Sequence, residues 1–590
     1  MKKEFLLVLA FFLTVILCAQ TASMNQQTNE QFKIIPQESA YVHYNTSLLF
    51  SGEKLQYKLY FIDLKTKKLS KISKVGYISL VGKNGVKVFD QKIILKNGTG
   101  YGDFFVPSSV PTGSYKLLAY SQWMKNQGID SFFQSNIQII NPYLPLPTDH
   151  IEVSKDSMLI SENQTLAISS KNLKKDITNN YIDIYLDKTN YNKRQKLSLK
   201  LRAHSTNVEK GTYSISIRKL DEISVPNDIS INTFYKKTSK TQNQNFYNDT
   251  IRWIPELRGQ LISGKIIDDE SKNPIHGEKV VLSLPGRNYL FHVATTNKKG
   301  DFYFNLDERY DNLKGNLQLV SANNQNVDII VNKHSLNVSG LEFFDFKVPD
   351  QLEKNIKERS FHNQIENAYL EEKSDSLIPT ELKAPFYRNL ETSYQLDDYT
   401  RFNTISETIV EIIDNVSLRT LKNGKRVFQV RPSREEYSGD PGIPLVFIDG
   451  LFVQDHEDIL EYNAKNLSSI SFSRSKYLVG TEVFQGIVHF ETVKQDFVES
   501  FYSPGIKSIT LFRPQPEKIY YNQSYETSGK VSNRIPDFRY QLLWAPQLNL
   551  INTEEIHFYS SDVTGDYEIV LEGFTEGGQP VSMRKFFTVK

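Results

Sequence analysis

The feature that most limits what this chain can fold into is alternation. Tyr181-Ile182-Asp183-Ile184-Tyr185-Leu186 and Thr212-Tyr213-Ser214-Ile215-Ser216-Ile217-Arg218 place apolar side chains at every second position, the period of a half-buried strand and not of a helix. Short runs rich in Val, Ile, Tyr and Phe recur at 54–62, 75–81, 113–120, 280–284 and 567–571, divided by Asn, Gly, Asp, Ser and Lys. Tyrosine and phenylalanine number 32 and 36 and suit pleated surfaces. Short strands spaced by turn residues predict a mainly β fold of tandem β-sandwiches rather than helical layers.

The first nineteen residues have the parts of a secretory signal. Lys2 and Lys3 precede an apolar run, Phe5 to Ala19, interrupted only by Thr14, and polar residues start at Gln20. The run is shorter than the ~20 residues of a spanning helix. The expected signal peptide is 1–19, with cleavage after Ala19 favoured over Ser23. Cys18 raises lipidation as the alternative, although Leu17 is not the small residue that a lipobox places before its cysteine. Cys18 is the only cysteine, so a chain cleaved after it has no disulfide, thiolate metal site or cysteine nucleophile. Ordinary cores must then hold it, and about four domains of ~150 residues are expected. No second long apolar segment follows, so no transmembrane segment of its own is expected. Seventy basic against 68 acidic residues argue against a nucleic-acid surface.

Several stretches carry resemblances. Residues 30–142 resemble the macroglobulin-like sandwiches of α2-macroglobulin relatives through Tyr41-Val42-His43-Tyr44-Asn45, Gly52-Glu53, Tyr101-Gly102-Asp103-Phe104-Phe105-Val106-Pro107, Pro111-Thr112-Gly113-Ser114-Tyr115 and Trp123-Met124. That implies a scaffold and contact module, without the thioester cysteine used for trapping. Residues 146–255 are expected to form a second sandwich, with 235–249 as a solvated loop or linker. Residues 256–332 resemble a carboxypeptidase-regulatory-like sandwich through Leu261-Ile262-Ser263-Gly264-Lys265-Ile266, Pro274-Ile275-His276-Gly277 and Gly300-Asp301-Phe302-Tyr303-Phe304. Residues 333–403 are expected to be a polar, partly helical linker. Within it, Leu352, Ile356, Phe361, Ile365 and Ala368 mark a weakly amphipathic helix. Residues 500–590 are expected to be a C-terminal immunoglobulin-like sandwich with Trp544 in its core.

Residues 404–495 resemble the plug domain of TonB-dependent receptors. The resemblance rests on Pro444-Leu445-Val446-Phe447-Ile448-Asp449-Gly450, Leu467-Ser468-Ser469-Ile470-Ser471-Phe472, Gly480, and Gly486-Ile487-Val488-His489-Phe490-Glu491-Thr492. It implies an α+β domain beside the sandwiches. In receptors the plug fills a barrel of about 22 strands. At ~9–11 residues per membrane strand such a barrel needs over ~200 residues, whereas residues 493–590 are all that follow. The expectation is a plug without its barrel.

Catalytic signatures are missing. No Gly-x-Ser-x-Gly elbow, His-Glu-x-x-His helix or Gly-x-x-x-x-Gly-Lys-Ser/Thr phosphate loop occurs. Asp455-His456-Glu457-Asp458 is the best polar cluster. It has the residue types of a metal site, but an acidic turn opening a helix explains it more simply. Asp449-Gly450 suits a type I′ hairpin turn, and His276 a turn beside Pro274 and Gly277. No catalytic residue, cofactor or metal ligand is therefore assigned.

Three functions remain to be weighed. The first is a non-enzymatic periplasmic adaptor or plug, associated with the outer membrane, that binds and occludes an outer-membrane β-barrel protein. This resembles the plug component of the type 9 secretion translocon. The expected contact residues are Asp449, Gly450, Leu451 and Phe452, and Tyr477, Leu478, Val479 and Gly480. The second is an envelope or surface protein holding glycan or protein ligands on its sandwich faces. The third is an enzyme, for which fold analogy alone is a weak warrant.

Overall fold

The computed structural model describes residues 36–145, 151–152, 176–221, 229–240, 252–286, 289–307, 310, 313–320, 327–343, 348–349, 353–379, 385–387, 390–433, 442–479, 482–503, 505–526, 534–548, 550–551 and 554–590. The expected signal peptide, Cys18 and Gly480 lie outside them. The chain divides into two units. One comprises residues 1–257, 336–378 and 514–590; the other comprises 258–335 and 379–513.

The first unit holds two sandwiches. In the first, the central strand Lys54–Asp63 lies between Glu38–Tyr44 and Thr99–Phe105, all antiparallel. A five-stranded sheet faces it, with Val75–Gly82 between Lys87–Ile94 and Gly113–Tyr120. Phe133–Ile140 and Leu48–Phe50 continue that sheet. Gly113–Tyr120 alternates only in its first half: Ser114 and Lys116 are half-buried between Gly113, Tyr115 and Leu117, whereas Leu117 to Tyr120 are all buried at the centre of the sheet.

The second sandwich corrects the expected boundaries. Thr212–Lys219 is flanked by Gly565–Phe574, with Ile215 opposite Leu571, and by Gln541–Leu548. Lys196–Ala203 pairs with Ile182–Leu186 on one side and Glu554–Tyr559 on the other. The segments expected as separate sandwiches, 146–255 and 500–590, thus contribute strands to one. They share one core, in which Leu199, Tyr213, Ile215 and Ile217 meet Phe558, Tyr567, Ile569 and Phe587. Each segment alone has too few strands to cover its apolar face, and pairing across the insertion supplies the missing layer. Trp544 is buried, as expected. Residues 235–240, expected in a loop, instead belong to the helix Ile231–Lys240.

The expected linker 333–403 is also corrected. Its helix forms, as Glu353–Ala368, but its buried residues are Arg359, Ser360 and Asn363, while Phe361 is 58% exposed. The apolar spacing therefore marked a helix without marking its docked face. Farther on, Thr392–Gln395 is no linker; it pairs with Leu467–Val479 as an edge strand of the other unit.

In that other unit, Gln260–Asp268 pairs with Asp301–Leu306 and Val327–Val331. The facing sheet holds Leu290–Thr295, Lys279–Leu284, Lys314–Leu319 and, from far along the chain, Lys507–Thr510. This sandwich is therefore not closed by residues 256–332 alone. Beside it lies an α+β domain with a five-stranded sheet in the order Thr392–Gln395, Leu467–Val479, Glu482–Thr492, Leu445–Ile448, Leu451–Phe452. A hairpin, Val416–Thr420 with Arg426–Val430, and the helix Ile405–Glu411 pack on it. That helix begins with a cap. Thr404 accepts the Glu407 N–H and the Glu407 carboxylate answers on the Thr404 N–H, a reciprocal cap.

Candidate functional site

The α+β domain carries both segments expected to contact a partner, and their environments differ. Asp449 and Gly450 form the two-residue turn between Leu445–Ile448 and Leu451–Phe452, with φ of 48° and 81°. Positive φ at both positions matches the expected type I′ geometry. The Asp449 carboxylate accepts the Thr492 N–H at 2.7 Å, the Thr492 hydroxyl at 2.6 Å and the Phe497 N–H at 3.2 Å. Its role is to fasten the turn to the end of the neighbouring strand.

The same turn is pressed into the adjacent sandwich. The Asp449 carbonyl accepts the Gly286 N–H at 3.1 Å. The Gln318 amide donates to the Phe452 carbonyl at 2.7 Å, and the Gln454 amide to Val320 at 2.7 Å. Val281, Tyr387, Leu445, Phe447, Phe452 and Ile487 form a common apolar seam. His489 lies in it with its ring centroid 5.0 Å from that of Tyr289, and burial pushes its pKa down to about 4, so it is neutral there. Asp449, Leu451 and Phe452 are all buried. The expectation that Asp449–Phe452 faces a partner is therefore corrected: these residues are spent on an internal seam.

Tyr477, Leu478 and Val479 are placed differently. The strands Leu467–Val479 and Glu482–Thr492 outrun their neighbours: Thr392–Gln395 reaches only Phe472, and Leu445–Ile448 starts opposite Ile487. Beyond those points the two strands continue as an antiparallel ribbon, one face of which packs on the apolar seam through Tyr477, Val479 and Phe484. Its base is marked by a register shift between Ser473 and Lys476 and by Gly486 at φ +89°. The Arg474 guanidinium braces it, donating to the carbonyls of Arg431 at 2.8 Å and Pro432 at 2.6 Å.

Alternation then sorts the tip. Tyr477 opposes Phe484 on one face, where Phe386 meets Tyr477 edge-on at 6.2 Å and stacks on Phe291 at 5.3 Å. Leu478 opposes Val483 on the other face, at 71% and 62% exposure. Val479 is buried, and Lys279 pairs with Glu482 at 2.6 Å. Covering both bare side chains would contribute roughly 2–4 kcal/mol to an association. Val483 and Phe386 were not expected at this surface. The signal for Val483 was Gly480-Thr481, a two-residue turn signal that puts Leu478 opposite Val483.

The acidic cluster is structural where it is described. His456 is buried, its Nδ1 accepts the Phe428 N–H at 3.0 Å, and burial lowers its pKa to about 4. Asp455 pairs with Lys425 at 2.5 Å, and Glu457 opens the short helix Glu457–Leu460. Among the described residues no three His, Cys, Asp or Glu side chains converge as a metal site, and no helix is long and apolar enough to cross a membrane.

No protein-family model matches the chain, and no curated protein matches it. Solved structures show distant likeness. An alpha-2-macroglobulin of Salmonella is 8% identical with a TM-score of 0.22, covering 94% of this chain and 39% of that one. The trypsin-activated alpha-2-macroglobulin from Escherichia coli is 10% identical at a TM-score of 0.22, covering 94% and 41%. The Yersinia pseudotuberculosis adhesin InvE is 9% identical at 0.13, covering 50% and 57%. The chain spans about two fifths of the length of those macroglobulins. Its mainly β, multi-sandwich fold stands on its own strand pairings.

Proposed function

We propose that the protein is a non-enzymatic adaptor of the periplasm that engages, and in one state occludes, an outer-membrane β-barrel protein through its α+β domain. The observation that carries this reading is the ribbon: a braced two-stranded projection that presents Leu478 and Val483 bare to solvent. Two aliphatic side chains exposed side by side on a braced ribbon form a small apolar patch that a partner could cover. The resemblance of residues 404–495 to receptor plugs supplies the class of partner. Connectivity agrees with an adaptor: after residue 513 the chain returns to strands of the second sandwich, where Gln541–Leu548 pairs with Thr212–Lys219, rather than running into membrane strands. The sandwiches would then set reach and present further contact surface.

The test is affinity purification of the tagged protein from detergent-solubilised envelopes, with mass spectrometry of what accompanies it. A β-barrel protein in near-equal amount, lost in a Leu478→Asp, Val483→Asp variant whose unfolding midpoint is unchanged, is the expected result. Recovery of the protein alone would refute the reading and favour the envelope protein that binds glycan or protein ligands. Deleting residues 404–495 is the poorer control, because Phe447 and Phe452 complete the seam of the adjacent sandwich.

A further inference from the structure

The helix Glu353–Ala368 is seated in an unusual way. A helix of 16 residues in a soluble protein ordinarily docks through an apolar stripe, yet all three of its buried residues are polar. Its main anchor is Arg359. The guanidinium forks onto both oxygens of Glu53 at 2.8 Å, reaches Asp221 at 2.6 Å, and donates to the Leu48 carbonyl at 3.2 Å. Its face lies 4.3 Å from the Phe50 ring centroid and 5.1 Å from that of Tyr540. Leu48, Phe50 and Glu53 come from the first sandwich, whereas Asp221 and Tyr540 adjoin strands of the second. Planar aromatic faces with a bidentate carboxylate form the chemistry that selects a guanidinium over an ammonium.

Charge completes the argument. Glu53 and Asp221 also face Arg218, at 3.4 and 3.9 Å. The two carboxylates are thus met by two guanidiniums, those of Arg218 and Arg359, with Lys219 and Glu358 at the margin of the seat. Clefts of about 170 and 130 Å³, both lined by Arg359, flank the seat. The helix is therefore held beside open clefts by polar contacts, among them the Glu366 carboxylate, which accepts the Phe538 N–H at 2.6 Å. Its other attachments are polar or aromatic: Asn363 donates to the Ser51 carbonyl at 2.7 Å, and His362 stacks on Phe538 at 4.3 Å.

We propose that the seam between the two sandwiches is an arginine-recognition site, and that the Glu353–Ala368 helix is its resident, displaceable ligand. An arginine-bearing helix or peptide of a partner is the class of molecule that competes for the seat. The helix belongs to the stretch 336–378, which lies in sequence between two segments of the other unit.

Two measurements on the full chain decide this. In the wild type, hydrogen exchange of residues 356–368 should run at least about 100-fold faster than that of the central strands Lys54–Asp63 and Thr212–Lys219. Equal protection overturns displaceability. In Arg359→Ala, millimolar N-ethylguanidine should raise the unfolding midpoint by about 2 °C or more, with ethylammonium and the wild-type chain showing no such shift. Absence of rescue, or equal rescue by ethylammonium, overturns the arginine site. Should the variant fail to fold, competition decides instead: an arginine-bearing helical peptide should speed exchange of residues 356–368 in the wild type, and its lysine counterpart should not.

Discussion

Gly450→Ala tests whether the turn at 449–450 is a seam or a surface. At φ +81° an L side chain is strained, and a methyl built there falls 3.0 Å from Tyr289 Cδ1 and closer still to its Cβ and Cγ. The backbone contribution is about 1–2 kcal/mol. The collision adds the cost of overpacking, about 1–3 kcal/mol, because Tyr289 is backed by His489 and Tyr387 at centroid distances of 5.0 and 6.1 Å. The expected loss is about 2–5 kcal/mol. Gly424→Ala is the internal control: φ is +88° and nothing lies within 4 Å of the added methyl, so only the backbone contribution of about 1–2 kcal/mol applies. In a Tyr289→Gly background, which removes the Cβ together with the ring, Gly450→Ala should fall to that same value. The assay must report the right unit. All three tryptophans, Trp123, Trp253 and Trp544, lie in the other one, so tryptophan fluorescence is blind here. Hydrogen exchange of residues 445–452 under increasing urea reads it directly. A Gly450→Ala cost no greater than that of Gly424→Ala would refute the seam and return Asp449–Phe452 to the partner-facing surface.

Further outcomes follow from burial and titration. Leu511 is buried in the core of the 260–331 sandwich, so Leu511→Ala should cost about 2–5 kcal/mol and speed exchange in Gln260–Asp268, more than 200 residues away in sequence. Lys58 is buried, and burial lowers its pKa to about 7. The unfolded chain then binds more protons than the folded one between about pH 7 and 10, so stability rises with pH across that window. Lys58→Met should flatten the rise in urea titrations. Burial raises the pKa of Glu38, with hydroxyl contacts from Ser121, Ser70 and Ser73 working against it. The folded state therefore holds its proton more tightly, and stability falls as pH climbs above the ordinary carboxylate value. Glu38→Gln should remove that fall while keeping the midpoint at low pH.

Individual elements were readable from the sequence because their causes are local. The alternating apolar residues that mark Thr212–Lys219 as a strand and the Asp449-Gly450 turn each depend on residues within a few positions of one another. The candidate site was only half legible. Leu478 is exposed as expected, but Asp449–Phe452 look equally available in sequence and are buried by Gly286, Tyr289 and Gln318, more than 130 residues earlier.

The sequence by itself therefore determined where strands and turns form, that the fold is mainly β, and that no disulfide holds a chain cleaved after Cys18. The tertiary structure alone decided which strands share a sheet. Alternation says that a strand has an apolar face and is silent about what covers it. Tyr213 and Ile215 find Gly573 and Leu571 across an insertion of more than 300 residues, which is tolerable because loop-closure entropy grows only with the logarithm of loop length. The same physics buried Arg359: its helix periodicity pointed to an apolar face, and two carboxylates brought together by folding, Glu53 and Asp221, drew in the polar one instead.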